Sequence, residues 1–385
     1  MLLLMKSQLL NKRLHILFLS SWYPSRVLPF NGDFVQRHAE AIALVHRVTA
    51  IHVITDGALN NALEIVESNQ NGVKTLIAYI APSKYLVVKF YRFFKAYHLL
   101  LKRVDAFNLV HLNIIFPTGF IALYLKWFKQ KPFIISEHWH GYHQPFCKEL
   151  NFFEHFFIKL IAKNAQFICP VTDNLGDSMQ QFGLVNNYKK VSNVIDTELF
   201  KPAIKTDKIY NIIHISSMDS VKNVPEILQV ISQLQKTKID FNFYLIGNNA
   251  QIFKPLANKL AINPKNSFFI NQVPQQELLT YLQQADVLVL FSTIENAPCV
   301  ILEAFACGIR VISTDVGGVR EHFPEGFGTL IKANDSQALL ENLIHYQTKK
   351  TNISKAEMHQ YINQNFSKKT IAKQFSELYL RALKT

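Results

Sequence analysis

Twice along the chain, short apolar and β-branched runs alternate with longer helical patterns, and this repeated alternation limits the possible folds more than any other feature. The first half carries "RLHILFLS", "RVTAIHVIT", "KTLIAYI", "LVHLNII", "KPFIISEH" and "AQFICPVT". Runs of this kind, separated by stretches of helical periodicity, predict the strands of a parallel sheet covered by helices. The pattern breaks at the polar "TELFKPAIKTDK", near residues 197–208, which contains Pro202. It restarts with "YNIIHISS", "FNFYLIG", "NSFFINQV", "ADVLVLFS" and "RVISTDVGG". A chain of 385 residues has room for two such domains, at about 100–200 residues each. The predicted limits are 1–200, 201–353 and a terminal helical segment, 354–385, packing back towards the first domain. In open α/β sheets ligands bind outside the carboxyl ends of the strands, so the strand-end loops are where chemistry is expected.

Charge and cysteine usage narrow the function. The formal net charge of +13 favours an anionic partner, whether a nucleic acid, a membrane headgroup or a phosphorylated small molecule. Cys147, Cys169, Cys299 and Cys307 form no CxxC pair and no metal-ligand spacing, which argues against a disulfide scaffold or a zinc site and for a reducing, cytoplasmic setting. The opening "MLLLMKSQLLNKRLHILFLSSW" is interrupted by Lys6, Lys12 and Arg13 and is not read as a signal peptide. Neither GxGxxG nor GxxxxGK[ST] occurs, so nicotinamide and P-loop chemistry lose their usual support.

The most informative stretch is "FSTIENAPCVILEAFACG", residues 291–308. A strand ending near Ser292 leads into a loop with Glu295 and Asn296. Pro298 suits the first position of a helix and Gly308 its stop. The amino end of that helix offers backbone N–H groups and a partial positive charge, a ready phosphate site. Glu303 lies within the helix among Val300, Ile301, Leu302, Ala304 and Phe305, so its carboxylate needs a partner. A sugar diol or a buried ion pair would each satisfy it.

From Ser292 to Gly308 the pattern S-x-x-E-N-x-P-x-x-x-x-E-A-x-A-x-G resembles the donor-site motif of the family-4 retaining glycosyltransferases, and "RVISTDVGGVRE" resembles the strand and glycine turn that follow it. Other segments agree in order: "FNGDFVQRHAEAI" with Gly32, "ISEHWHGYH" with His138, "VTDNLGDSMQQFG" and "KKVSNVIDTELFKP" with Asn193 and Asp196, and "ISSMDSVKN" with Lys222. The resemblance implies a GT-B fold, two Rossmann-like parallel-sheet domains facing a central cleft. It also implies transfer of a hexose-type sugar, with retention, from a nucleotide-sugar donor to a saccharide or lipid-linked acceptor in cell-surface polysaccharide or glycolipid synthesis. Under it Glu295, Lys222 and His138 are the catalytic set. Gly32, Ser217, Asn296, Ala297, Pro298, Cys299, Val300 and Glu303 bind substrate, and no metal or cofactor is expected. Lys222 would neutralise the diphosphate, Glu303 would grip the ribose, Glu295 would position the hexose and His138 would touch the sugar.

Four positions depart from the family's pattern. Ser217 stands where members commonly carry an arginine, Asn296 replaces a glycine, Asn249 interrupts a GxG turn at Gly247, and Arg310 stands where proline is usual. Ser217 motivates a different reading, a catalytically silent sugar-nucleotide-binding or scaffold protein. An epimerase of the same fold is a third.

Between Ser68 and Val104 no acidic residue occurs, while Lys84, Lys89, Arg92, Lys95, Lys102 and Arg103 mix with Phe90, Tyr91, Phe93, Phe94 and Tyr97. On a helical projection this is a basic amphipathic helix. It could lie on an anionic membrane at its inner face, or pack an ordinary apolar face inward. No RRM, KH or helix-turn-helix pattern accompanies it, so nucleic acid is not expected as a partner.

Overall fold

The computed structural model describes residues 13–144, 146–348 and 352–384. Most of the opening stretch weighed above as a signal peptide, through residue 12, lies outside them. The chain forms two compact units: residues up to Val194 together with those from Lys368 onward, and Ile195–Ser367.

In the first unit the strands are β1 (His15–Ser20), β2 (Arg47–Thr55), β3 (Leu63–Gln70), β4 (Val73–Ile80), β5 (Leu109–Asn113), β6 (Phe133–Glu137) and β7 (Ile168–Pro170). Helices α1 (Asp33–Ala43), α2 (Leu86–Leu101), α3 (Gly119–Lys129), α4 (Phe152–Asn164) and α5 (Asp173–Gln181) are interleaved with them. The sheet order is β3-β4-β2-β1-β5-β6-β7, and every pairing is parallel except β3 with β4. β1 is central and wholly buried, which is why its run is unbroken by polar residues except His15 and Ser20.

The antiparallel β3 departs from the all-parallel sheet read from sequence. Asn71 and Gly72, both at positive φ (51° and 80°), make the tight turn that reverses the chain. β3 is mostly exposed, so its polar "VESNQ" suits an edge strand.

The second unit has β8 (Tyr210–Ser216), β9 (Phe241–Gly247), β10 (Ser267–Ile270), β11 (Val287–Leu290), β12 (Arg310–Thr314) and β13 (Gly328–Ile331) in the order β10-β9-β8-β11-β12-β13, all parallel. Its helices are α6 (Val224–Leu234), α7 (Lys254–Lys259), α8 (Gln275–Gln284), α9 (Cys299–Ala306), α10 (Ser336–Thr348) and α11 (Lys355–Phe366). Leu228, Ile231, Phe243, Leu245, Val289 and Leu339 form one face of its core, and Ile213, Leu288, Leu302, Phe305 and Ile362 the other.

The terminal segment is two helices rather than one. α11 belongs to the second unit, whereas α12 (Lys368–Ala382) belongs to the first, where it packs on α1 and contributes Ile371, Phe375 and Tyr379 to the core. Among the described residues no helix is long and apolar enough to cross a membrane.

Candidate active site

In the second sheet the chain steps outward from β8 to β9 and β10, then returns to place β11 on the other side of β8. That reversal puts the carboxyl ends of β8 and β11 side by side with their following loops diverging, the arrangement in which α/β sheets bind ligands. The loop after β8 carries Ser217 to Lys222, and the loop after β11 carries Ser292 to Pro298. A backbone hydrogen bond from Thr293 N–H to Val221 C=O, 2.8 Å, ties the two loops together.

This brings Lys222 and Glu295 into contact. Lys222 Nζ lies 2.5 Å from Glu295 Oε1, and the Ser292 hydroxyl donates to the same oxygen at 2.7 Å. Both charged side chains are largely withdrawn from solvent, at 16% and 8% exposure. A lysine aimed by a buried carboxylate keeps its charge at a fixed place, which a flexible surface lysine does not.

The turn after β12 completes the floor. Gly318 N–H donates to Glu295 C=O at 3.3 Å, and Gly317 sits at φ +55° with its Cα so close that a Cβ would fall 1.8 Å from that same oxygen. Only glycine fits there. A similar approach holds β9 against β8, where a Cβ on Gly247 would lie 1.9 Å from Ser216 C=O. Asn249, the residue that breaks the expected glycine turn, itself adopts φ +54° and so supplies the left-handed backbone that asparagine tolerates.

α9 begins at Cys299, with Pro298 as its N-cap rather than its first helical residue, one position later than read from sequence. Gly308 follows the C-cap Cys307 at φ +72°, as a helix stop. Asn296, Ala297, Pro298, Cys299 and Val300 are all half-buried around the helix start. Glu303 is buried, 4% exposed, one turn further along. Burial and the neighbouring Glu303 carboxylate push the Cys307 thiol up to about 12.

Ser217 is exposed, and its hydroxyl donates to Asp219 Oδ2 at 2.6 Å. The Ser217 hydroxyl is thus engaged by a carboxylate of its own loop. Arg310 spans instead to α10, where it donates to Tyr346 C=O at 2.8 Å and stacks 4.1 Å over the Tyr346 ring.

His214, within β8, was not singled out by sequence. Burial lowers its pKa to about 4, so it is neutral. Its Nδ1 lies 2.9 Å from Val289 C=O, which can only accept, so Nδ1 carries the proton and Nε2 accepts from the Ser216 hydroxyl at 2.8 Å. Ser216 in turn accepts from Met218 N–H at 3.1 Å, shaping the start of the Lys222 loop.

In the first unit the corresponding strand-end loops hold Gly32 and His138. Gly32 is the N-cap of α1 at φ +72°, and a Cβ there would lie 2.5 Å from the Trp22 carbonyl carbon and oxygen. The glycine is thus required by the chain's own backbone. His138 packs against Phe34 (4.5 Å) and His38 (5.5 Å). Burial, with His38 and His111 nearby, lowers the His138 pKa well below the ordinary value; burial lowers that of His38 to about 4. A neutral His138 follows.

The backbone of His138 is held by its neighbour Glu137, fully buried at the end of β6. Its Oε1 accepts from His138 N–H (2.9 Å) and Trp139 N–H (3.0 Å), and its Oε2 from Ile115 N–H (3.0 Å) and the Tyr142 hydroxyl (3.3 Å). Burial raises its pKa against the pull of these four donors. Among the described residues no cluster of His, Cys, Asp or Glu is arranged to hold a metal ion.

Comparison with known proteins follows the same division. Residues 35–199 match the model of Glycosyltransferase Family 4, and residues 194–368 match that of Glycosyl transferases group 1. The chain is similar to the putative teichuronic acid biosynthesis glycosyltransferase TuaC of Bacillus subtilis (strain 168), 39% identical over 89 residues, 23% of each protein. It is also similar to N-acetyl-alpha-D-glucosaminyl L-malate synthase of Bacillus anthracis, 31% identical over 136 residues, 34% of this chain and 35% of that protein. The matched stretches thus span about a quarter and a third of those two curated relatives. Among solved structures, that of Anabaena Alr3699/HepE in complex with UDP-glucose superposes with a TM-score of 0.72 at 16% identity, over 95% of this chain and 99% of that one, which shows a common fold. With the two models together running from residue 35 to 368 over a pair of parallel-sheet units, the chain belongs to the GT-B glycosyltransferases of family 4 and group 1.

Proposed function

We propose that this protein is a retaining glycosyltransferase. It would move a hexose-type sugar from a nucleotide-sugar donor to a saccharide or lipid-linked acceptor in cell-surface polysaccharide or glycolipid synthesis. The observation that carries the reading is the Lys222–Glu295 pair, at the switch point between β8 and β11 and a few residues from the amino end of α9. The names of the similar proteins support it: one is a putative teichuronic acid biosynthesis glycosyltransferase, and one fold neighbour was solved with UDP-glucose.

As the glycosidic phosphate bond breaks, negative charge grows on the departing diphosphate and the sugar becomes oxocarbenium-like. Groups already aimed at that charge supply much of the acceleration, and losing one costs on the order of 10²–10³ in rate. Lys222 supplies a cation, and the first-turn N–H groups of Cys299 and Val300 supply dipoles. Glu295 keeps Lys222 in place before donor arrives and, once the diphosphate takes over the ammonium, can accept from a sugar hydroxyl. Glu303 receives the ribose hydroxyls. Asn296, Ala297 and Pro298 shape the loop between these groups. The acceptor belongs to the first unit, where Gly32 and His138 lie on the strand-end loops. We place the protein in the cytoplasm, with peripheral contact to the inner membrane face.

Two carboxylates also serve glycosidases, but there they flank the scissile bond as acid and nucleophile. Here Glu295 is committed to a lysine and Glu303 is buried in a helix, which favours transfer over hydrolysis. The catalytically silent reading rests on Ser217, whose hydroxyl is held by Asp219.

A thermal-shift panel of nucleoside diphosphates and nucleotide sugars, on wild type and Glu303→Ala, tests the donor site, since a ligand that binds only the folded state raises its stability. The expected result is a shift with one nucleotide that is lost in a folded Glu303→Ala protein. No shift with any nucleotide would overturn the reading.

A further inference from the structure

A cavity of about 620 Å³ opens between α2 and α3 in the first unit. Phe94, Tyr97 and Leu101 line it from α2, and Ile121 and Leu125 from α3. Its volume falls within the range of about 300–1,000 Å³ typical of ligand sites. Phe107, just before β5, and Lys131, just before β6, belong to its wall, so it lies at the amino ends of the strands. Gly32 and His138 follow carboxyl ends, at the opposite edge of the same sheet. This cavity is therefore separate from the acceptor loops.

Apart from His98 and the hydroxyls of Tyr97 and Tyr124, its polar side chains are all lysines. Lys102, Lys129 and Lys131 border the apolar walls, and no carboxylate lines the cavity. None of the three lysines forms an ion pair among the described residues, although Lys131 lies 5.3 Å over the Phe107 ring. The nearest acidic residue in sequence, Asp105, is engaged by Arg47. Apolar walls with a cationic rim fit a molecule that has a hydrocarbon tail and an anionic head. The surface beside the cavity says where such a molecule comes from. Tyr124, a lining residue, packs its ring at a tilt against that of Phe128, 5.4 Å between centroids; Phe128 is 71% exposed, and Trp127 next to it is 52% exposed. Exposed tryptophan and aromatic side chains interleaved with lysines suit a lipid headgroup region.

We propose that this cavity binds one acyl chain of an anionic membrane phospholipid, with Lys102, Lys129 and Lys131 on its phosphate. The site goes beyond glycosyl transfer and does not depend on it. The lipid held here is an anchor, not the acceptor.

The test titrates the full chain with monomeric lysophosphatidylglycerols of increasing chain length, with lysophosphatidylcholine of matched tail, and with glycerol 3-phosphate, by calorimetry or native mass spectrometry. One lysophosphatidylglycerol per chain is expected, with affinity rising about fourfold per methylene until the cavity is full. The anionic head should be favoured over the zwitterionic one by about fivefold or more for each lysine in contact. The triple variant Lys102→Gln, Lys129→Gln, Lys131→Gln, whose changes fall on exposed or half-buried side chains, should erase the headgroup preference. Leu101→Trp should weaken binding of both lipids, with circular dichroism confirming the fold; if it does not fold, the lysine variant decides alone. Equal binding of glycerol 3-phosphate would reveal a phosphate site without a chain. That result, no headgroup preference, or identical affinities for wild type and the lysine variant would each overturn the proposal. Nucleotide-induced thermal shifts report on the second unit and remain readable whatever the lipid result.

Discussion

Replacing Glu137 by glutamine keeps the shape of the side chain and changes only what it can accept. All four groups around the carboxylate are donors: the N–H groups of His138, Trp139 and Ile115, and the Tyr142 hydroxyl. A carboxylate is acceptor-only and suits them all, whereas an amide must turn its NH₂ towards one side. With the amide oxygen on the His138 and Trp139 side, the NH₂ faces Ile115 N–H, donor against donor, while Tyr142 can rotate to accept. One buried N–H is left unsatisfied, at a cost of about 1–3 kcal/mol. Removing a buried charge returns part of this, so Glu137→Gln should destabilise the protein by roughly 1–2 kcal/mol. Glu137→Ala strands three backbone N–H groups and a hydroxyl and should cost at least about 3 kcal/mol. Urea unfolding followed by circular dichroism measures both. Nucleotide-induced shifts should persist in the glutamine variant, because the proposed donor groups lie in the second unit, while transfer should fall as the His138 loop loosens. Glutamine equal to wild type, with alanine no worse than glutamine, would refute the hydrogen-bond account of Glu137.

Other outcomes follow from named contacts. Lys222→Ala leaves Glu295 buried with only the Ser292 hydroxyl among the contacts described above, and should lose up to about 3 kcal/mol; Lys222→Met with Glu295→Gln should recover most of it in a double-mutant cycle. Gly317→Ala places a Cβ 1.8 Å from Glu295 C=O at a positive φ, so it should abolish nucleotide-induced thermal shifts while the protein remains folded at lower temperature. Stability should fall as pH drops from about 6.5 towards 4. Burial holds the folded pKa of His38, His52 and His214 near 4, so over that window the unfolded chain binds more protons, at roughly 3 kcal/mol per imidazole at most. A pH series of urea midpoints checks the direction, and a flat profile would contradict it.

Parallel strands were readable because burial on both faces makes them continuous apolar runs, as in "HILFLS" and "VLVL". The edge strand β3 was missed for the opposite reason: its exposed positions are free to be polar, and its one local signal, Asn71–Gly72, is short. The helix read as basic and amphipathic forms, but its two halves behave differently. Ala96, Tyr97 and Leu100 are buried, while Leu86, Val87, Phe90, Tyr91 and Phe94 remain exposed, so burial divides the helix along its length as well as by face. Glu303 was legible as a carboxylate amid apolar residues and Glu295 through its place in the S-x-x-E-N-x-P pattern, whereas the ion pair of Glu295 with Lys222 was not, because 72 residues intervene. Glu137 looked like a strand end. Its partners include Ile115, 22 residues earlier, and only the fold brings that N–H to it.

Product analysis tests the central claim most directly. Wild type and Lys222→Ala, with the nucleotide sugar identified by thermal shift, are incubated with saccharide and lipid acceptor extracts, and the new linkage is assigned by NMR. The account predicts release of nucleoside diphosphate with sugar transferred in the donor's own anomeric configuration, reduced on the order of 10²–10³ in Lys222→Ala. Transfer with inverted configuration, a changed sugar without acceptor, or nucleotide binding with no product across the acceptors would contradict it.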